Sequence, residues 1–204
     1  MRWRRLLGVV FPPACVHCGE PVEDGPFAAL CGNCAAQLQP AAAAAAVRFE
    51  GPARALVLAL KYRRQREVLE DIKTVFRRSP QVLARARGAV IVPVPLAALR
   101  ERERGFNQAE LIGRALASAA PGARLARLLR RVEEGPPQAT LGRRERLANA
   151  KNAFALAAGA RLNPASRHLI IDDVTTTGST LESCAQALSR AGCTRIDAAA
   201  FAQG

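Results

Sequence analysis

Along this chain, stretches with apolar residues at helical spacing alternate with shorter runs in which β-branched residues follow one another. ALVLALKYRRQREVLEDIKTVFRR, residues 55–78, has helix-spaced apolar positions with a polar interruption at residues 62–66. AVIVPVP, residues 89–95, is a β-branched run stopped by Pro93 and Pro95, which predicts a buried strand feeding a loop. Residues 107–120 predict a helix, with Asn107 and Glu110 at capping-box spacing and Ile112 and Leu116 on one face. Residues 128–149 are charged and punctuated by Pro and Gly, long for a connection, and predict a mobile loop. A second strand is expected at residues 168–172. A capping box then opens a helix at Ser179 and Glu182, Gly192 closes it, and residues 195–200 return as a strand. Strand, helix, strand in that order implies a right-handed crossover and a parallel sheet, so the expected class is α/β.

Composition bounds this picture. A length of 204 residues suits one main domain and a small appendage. The chain is 50% hydrophobic and only 4% aromatic, and its longest apolar runs are interrupted by Arg or Pro, so no membrane span is expected. The net charge of +13 favours phosphate-bearing partners. Lys61, Lys73 and Lys151 are the only lysines, however, and an excess that is nearly all arginine is equally what genomic base composition would produce. The opening MRWRRLLGVVFPPAC resembles a signal peptide only superficially. Residues 6–11 are short for a secretory core, and Pro12 and Pro13 end it; a short amphipathic element packed on the body is expected instead. A cytoplasmic location follows as the expectation, with the six cysteines read as thiols or metal ligands.

Four cysteines form two pairs, Cys15-Val-His-Cys18 and Cys31-Gly-Asn-Cys34. Each CxxC turn points two sulfurs at one ion, and four thiolates complete the tetrahedron that Zn²⁺ accepts. A closed four-sulfur set leaves no open position, so its expected role is folding, with Gly19 and Gly32 giving the turns backbone freedom. His17 is not needed as a ligand, and Cys184 and Cys193 are expected as buried, inert thiols. The expected organisation is an N-terminal zinc module over residues 1–46 and a main domain over residues 47–204. The alanine tract before that boundary reads as a linker or a first helical turn.

The segment LIIDDVTTTGST, residues 169–180, carries the most specific chemistry. It places Asp172 and Asp173 at the end of a strand and follows them with hydroxyls and a glycine at a helix start, where open α/β sheets bind ligands. Backbone N–H groups over residues 175–180, with the helix dipole behind them, form a phosphate cradle. Two acids beside such a cradle suit neighbouring hydroxyls or Mg²⁺, so the expected ligand combines a monophosphate with a sugar diol, as a ribose 5-phosphate group does. No Walker A pattern is present.

This segment resembles the PRPP-binding motif of type I phosphoribosyltransferases. The chain as a whole resembles the ComF family, through FPPACVHCG with LCGNC, VPVPLAALRERERGFNQAELIGRAL, PPQATLGRRERLANAKNAF and LIIDDVTTTGSTLESC. The resemblance implies a type I phosphoribosyltransferase-like parallel sheet with flanking helices behind a zinc module. It implies that Asp172 and Asp173 hold the ribose hydroxyls, and that Thr175, Thr176, Thr177, Gly178, Ser179 and Thr180 hold the 5-phosphate of PRPP, with Mg²⁺ on the diphosphate. Arg100 and Arg104, after the VPVP strand, stand as diphosphate partners, and Gln138, Arg146 and Asn149 fall where related enzymes carry a lid. No residue is assigned as nucleophile and no acceptor base is named. The family also implies a link to natural competence and the uptake of single-stranded DNA. The rival reading is therefore a single-stranded-DNA-binding accessory protein that keeps the nucleotide pocket for regulation. Arginines near residues 100–104, 127–131 and 143–146 are the expected phosphate contacts; with Trp3 and Tyr62 single examples of their kinds, extensive base stacking is not expected.

Overall fold

The computed structural model describes residues 13–42, 44–63, 65–132 and 153–204. Five parallel strands form the central sheet: β1 (Ala45–Arg48), β2 (Val90–Pro93), β3 (Arg124–Leu125), β6 (His168–Thr175) and β7 (Ile196–Gln203), in the order β1-β7-β6-β2-β3. Strands β4 (Leu129–Arg131) and β5 (Phe154–Leu156) pair antiparallel as a separate ribbon. The expected α/β class with a parallel sheet and flanking helices is what the chain adopts.

Alternation along the strands separates the two faces. Ile91, Leu169, Ile171 and Phe201 point to one side, against α3 (Val68–Arg77) and α6 (Gln108–Ala119), burying Val75, Phe76, Ile112 and Leu116. Val90, Val92 and Ile170 point to the other, against Leu181, Cys184 and Leu188 of α7 (Ser179–Arg190) and against Leu129 and Phe154 of the ribbon. With helices on one face and a helix and ribbon on the other, β2 is buried at every position, which is why its sequence reads as a continuous apolar run. Helix α6 lies so close to the sheet that a Cβ on Gly113 would meet Leu125 Cδ1 at 2.9 Å and Ile171 Cγ2 at 3.1 Å.

The four-cysteine segment packs on the same side as α3. It contains the short helix α1 (Gly32–Ala36), and Cys15, Phe27, Leu30 and Cys34 belong to the cluster that includes Ile72 and Phe76. Asp71, fully buried on α3, accepts from the backbone N–H of Ala28 at 2.6 Å and of Ala29 at 3.0 Å. Beside it, Thr74 Oγ1 donates to the Pro26 carbonyl at 3.2 Å and the Arg78 guanidinium lies 4.8 Å from the centre of the Phe27 ring. One buried carboxylate thus satisfies backbone donors that would otherwise be stranded in the core.

Several local expectations change. The alanine tract ends in a strand, since Ala45–Arg48 finds the free edge of β7 and pairs with it. The interruption at residues 62–66 does separate two helices, α2 (Gly51–Arg63) and α3. Gly19 has the left-handed φ of 83° expected of a knuckle, but Gly32 does not and instead opens α1. The stretch expected as a mobile loop begins with β4, whose Leu129 is buried; residues 133–152 lie outside the described residues, as do residues 1–12. Strand β6 runs on to Thr175, past the expected end, because β7 continues to pair with it as far as Gln203. The box at residues 179–182 does not form. Gly178, at φ 78°, takes the cap position of α7, and Glu182 accepts instead from Gln186 Nε2 at 3.2 Å.

Candidate functional site

From β2 the chain moves outward to β3, and from β6 it moves outward to β7 on the opposite side. Between β2 and β6 the order of connections reverses, and the crevice outside the carboxyl ends of those two strands is where an open α/β sheet accepts a ligand. The segment singled out in the sequence occupies that place.

Asp172 is half-buried and Asp173 buried, both still within β6. Asp172 Oδ1 accepts from the Asp173 N–H at 2.8 Å, and Asp173 Oδ1 accepts from the Val174 N–H at 2.8 Å. Across from them, Lys61 at the end of α2 forms an ion pair with Asp173 Oδ2. Burial pushes the Asp172 carboxyl up to about 8 from an ordinary 3.8, and repulsion from Asp173 adds to it, with Lys61 opposing. At neutral pH Asp172 therefore takes on its charge reluctantly. A ligand that presents hydroxyl donors or positive charge to Asp172 relieves that repulsion.

The turn after the acids is open. Thr176, Thr177, Ser179 and Thr180 are exposed, and a Cβ on Gly178 would meet nothing within 4 Å. Thr177 Oγ1 accepts from the Ser179 N–H at 3.4 Å and lies 3.1 Å from Ser179 Oγ, so hydroxyls and the first amides of α7 share one turn. Thr175 is tied down differently: its carbonyl accepts from the Gly204 N–H at 2.9 Å.

On the β2 side, the Val94 N–H donates to the Ile171 carbonyl at 2.9 Å, laying the VPVP loop against the acidic strand end. The RGFNQ segment, residues 104–108, is a brace. Asn107 Nδ2 donates to the Val94 carbonyl at 2.9 Å while its Oδ1 accepts from the Ala109 N–H at 3.0 Å, so one side chain caps α6 and fixes the loop. Arg66 lies 6.0 Å from the centre of the Phe106 ring. Arg104, on α5 (Ala98–Arg104), donates to Gln108 Oε1 at 2.5 Å and lies 5.7 Å from the centre of the Tyr62 ring. Arg100 is exposed on the same helix, and Arg146 lies outside the described residues together with Gln138 and Asn149. A cavity of ≈ 280 Å³ beside the loop is lined in part by Pro93, Glu101, Asn107, Arg127 and Arg130. Within it Glu110 pairs with Arg114 and Arg127; burial pushes its carboxyl up, but the two guanidiniums outweigh that and leave it below the ordinary value.

Away from the crevice, the sulfurs of Cys15, Cys18, Cys31 and Cys34 lie within 4.8 Å of one another, an arrangement able to hold one metal ion. Burial pushes the Cys15 thiol up, but N–H groups of Cys18, Cys31 and His17 outweigh it and bring it down to about 6. Cys34 goes the other way, raised by burial and by its neighbouring sulfurs. Backbone amides can hold one thiolate in such a cluster; a full set of four needs a cation among them. His17 is exposed and stands outside the set, while Cys184 and Cys193 are buried with their thiols pushed up by burial.

Lys61 and Asp71 were the residues that sequence reasoning missed. Lys61 had a signal, as one of only three lysines in an arginine-rich chain. Asp71 had another: it occupies an apolar-face position among Val68, Ile72 and Val75, where an acid needs a reason.

These features define a parallel α/β protein with two acids and a hydroxyl-rich turn at its topological reversal and a four-cysteine module packed on its helical layer. Comparison with known proteins narrows that class. The chain is 30% identical to competence protein F of Haemophilus influenzae over 90% of this chain and 82% of that protein. It is 33% identical to DNA utilization protein YhgH of Salmonella typhi, over 89% of this chain and 80% of that one, and 31% identical to its Escherichia coli K12 counterpart over the same shares. The chain belongs to the ComF family, that of competence protein F. No protein-family model matches it. Among solved structures, the allosteric regulatory enzyme of purine biosynthesis superposes with a TM-score of 0.41 at 18% identity, over 65% of this chain and 26% of that one, a likeness too distant to carry an argument. Among the described residues, no helix is long and apolar enough to cross a membrane.

Proposed function

We propose that this chain is a PRPP-binding, phosphoribosyltransferase-like protein that serves DNA uptake. The observation that carries the reading is the pair of acids at the end of β6, followed by an exposed hydroxyl-rich turn into α7, at the reversal point of the sheet. In this reading Asp172 and Asp173 accept the ribose hydroxyls. Thr175, Thr176, Thr177, Gly178, Ser179 and Thr180 surround the 5-phosphate with amides and hydroxyls. Lys61, already beside the acids, supplies positive charge to the ligand's anionic side. Mg²⁺, arriving with PRPP, neutralises its diphosphate. Asn107 keeps the VPVP loop in place beneath that group.

The role in DNA uptake rests on relatives named for competence and for DNA utilization, and the net charge of +13 agrees with it. The four-cysteine set is assigned to a structural Zn²⁺. A tetrahedral ion with Zn–S bonds of about 2.3 Å sets neighbouring sulfurs about 3.8 Å apart, and Cys18 Sγ and Cys31 Sγ are 3.7 Å apart. We assign residues 1–46 to that module and residues 47–204 to the ligand-binding domain, with Ala45 and Ala46 already part of β1 in that domain's sheet.

PRPP with Mg²⁺ should raise the thermal midpoint of the protein. Ligand at about one hundred times its dissociation constant stabilises the folded state by about 2.7 kcal/mol, or on the order of 5–10 °C for a chain of this size. Ribose 5-phosphate should give a smaller shift because it lacks the diphosphate. An unchanged midpoint at millimolar PRPP would contradict the reading.

A further inference from the structure

A second cleft, of ≈ 350 Å³, lies between the first cysteine knuckle and helix α2. Val16, Ala55, Leu58 and Ala59 give it an apolar floor, and Arg54 and Arg63 stand at its sides with His17 of the knuckle. Both arginines are exposed, and among the described residues neither is paired with a carboxylate. Glu50, one turn before Arg54, is engaged with Arg48 at 3.0 Å. By contrast, the arginines expected from sequence to meet phosphates are in part occupied: Arg127 by Glu110, Arg104 by Gln108, and Arg131 by the Phe154 ring. The stretch at residues 143–146 lies outside the described residues.

Tyr62 extends this face. It lies one helical turn beyond Leu58, on the same stripe of α2. Its ring is 71% exposed, one of two large hydrophobic side chains left so open among the described residues, although Arg104 rests near it. An apolar floor, flanking guanidiniums without acids and an open aromatic ring together offer a single strand of nucleic acid a track for its backbone and a surface for a base.

We propose that this cleft, from Arg54 to Tyr62 and Arg63, binds single-stranded DNA, with the arginines on phosphates and one base stacked on Tyr62. The inference rests on the DNA-uptake reading and gives it a surface. It also places the two ligands on one helix end, since Lys61 meets Asp173 while Arg63, two residues on, lines the cleft. The strand-end crevice and the cleft are thus distinct sites with a shared element.

The test is fluorescence anisotropy with a labelled oligothymidylate across a salt series, using the intact chain with its metal. Replacing both arginines, Arg54→Ala with Arg63→Ala, should weaken binding at least tenfold. It should also lower the slope of log affinity against log salt by roughly 1.4, about 0.7 for each phosphate that is no longer neutralised. Tyr62→Ala should weaken binding about tenfold with the slope unchanged, because stacking releases no counterions. All three side chains are exposed, so thermal midpoints should match that of the wild type. If the wild type binds and the double variant binds equally well with the same slope, the cleft is not the DNA surface and the broader reading stands. A wild type that fails to bind even at low salt overturns both.

Discussion

Cys31→Ser should abolish metal binding and cooperative folding together. Structural Zn²⁺ in small modules contributes about 10–16 kcal/mol of apparent binding free energy, as much as the whole stability of an ordinary domain, about 5–15 kcal/mol. Here the loss cannot stay within the module, because Cys15, Leu30 and Cys34 share a core with α3 and Asp71 ties the module's backbone to that helix. Elemental analysis should find one equivalent of zinc in the wild type and none in the variant. The variant's melting curve should be broad and shifted well down. A metal-free wild type with an unchanged, sharp transition would remove the metal from the account.

Asp172→Asn should make the protein more stable while weakening the proposed PRPP site. Because the folded-state pKa of Asp172 is raised to about 8 from an ordinary 3.8, the unfolded chain gives up this proton first as pH rises. Between those two values the unfolded state binds fewer protons, so the wild type loses stability as pH climbs and the loss levels off above about 8. An asparagine carries no charge to bury, and its Oδ1 can still accept from the Asp173 N–H. Melting experiments from pH 6 to pH 9 should show the variant more stable at every point, by a margin that widens up to about pH 8. A variant that melts below the wild type at pH 8.5 would show that Asp172 is not held against its own repulsion. Stability sacrificed at a strand end in this way is a common mark of a site shaped for a ligand.

Strands β2, β6 and β7 and helices α6 and α7 were legible because their apolar patterns are dictated by burial on a two-faced sheet, which leaves little freedom of register. The misread elements are those whose structure is imposed from outside. Alanines at residues 45 and 46 have no intrinsic preference for a strand, and only the exposed edge of β7 makes them one. The box at residues 179–182 loses to Gly178, whose left-handed conformation already turns the chain into α7 and leaves Ser179 and Thr180 exposed. The acids, the hydroxyl turn and the four cysteines could be found from spacing, since their chemistry is local. Lys61 and the Asn107 brace could not be placed that way, since each acts on a residue distant in sequence, Asp173 and Val94 respectively.

In the proposed reading, the crevice between β2 and β6 binds PRPP through the acids of β6. That reading is tested most directly by calorimetric titration of PRPP with Mg²⁺ into the wild type and into Asp172→Asn with Asp173→Asn. The wild type should bind one equivalent and the double variant should bind at least tenfold more weakly, with the far-ultraviolet circular dichroism of the two proteins unchanged. Equal affinities, or no heat of binding in the wild type, would contradict it.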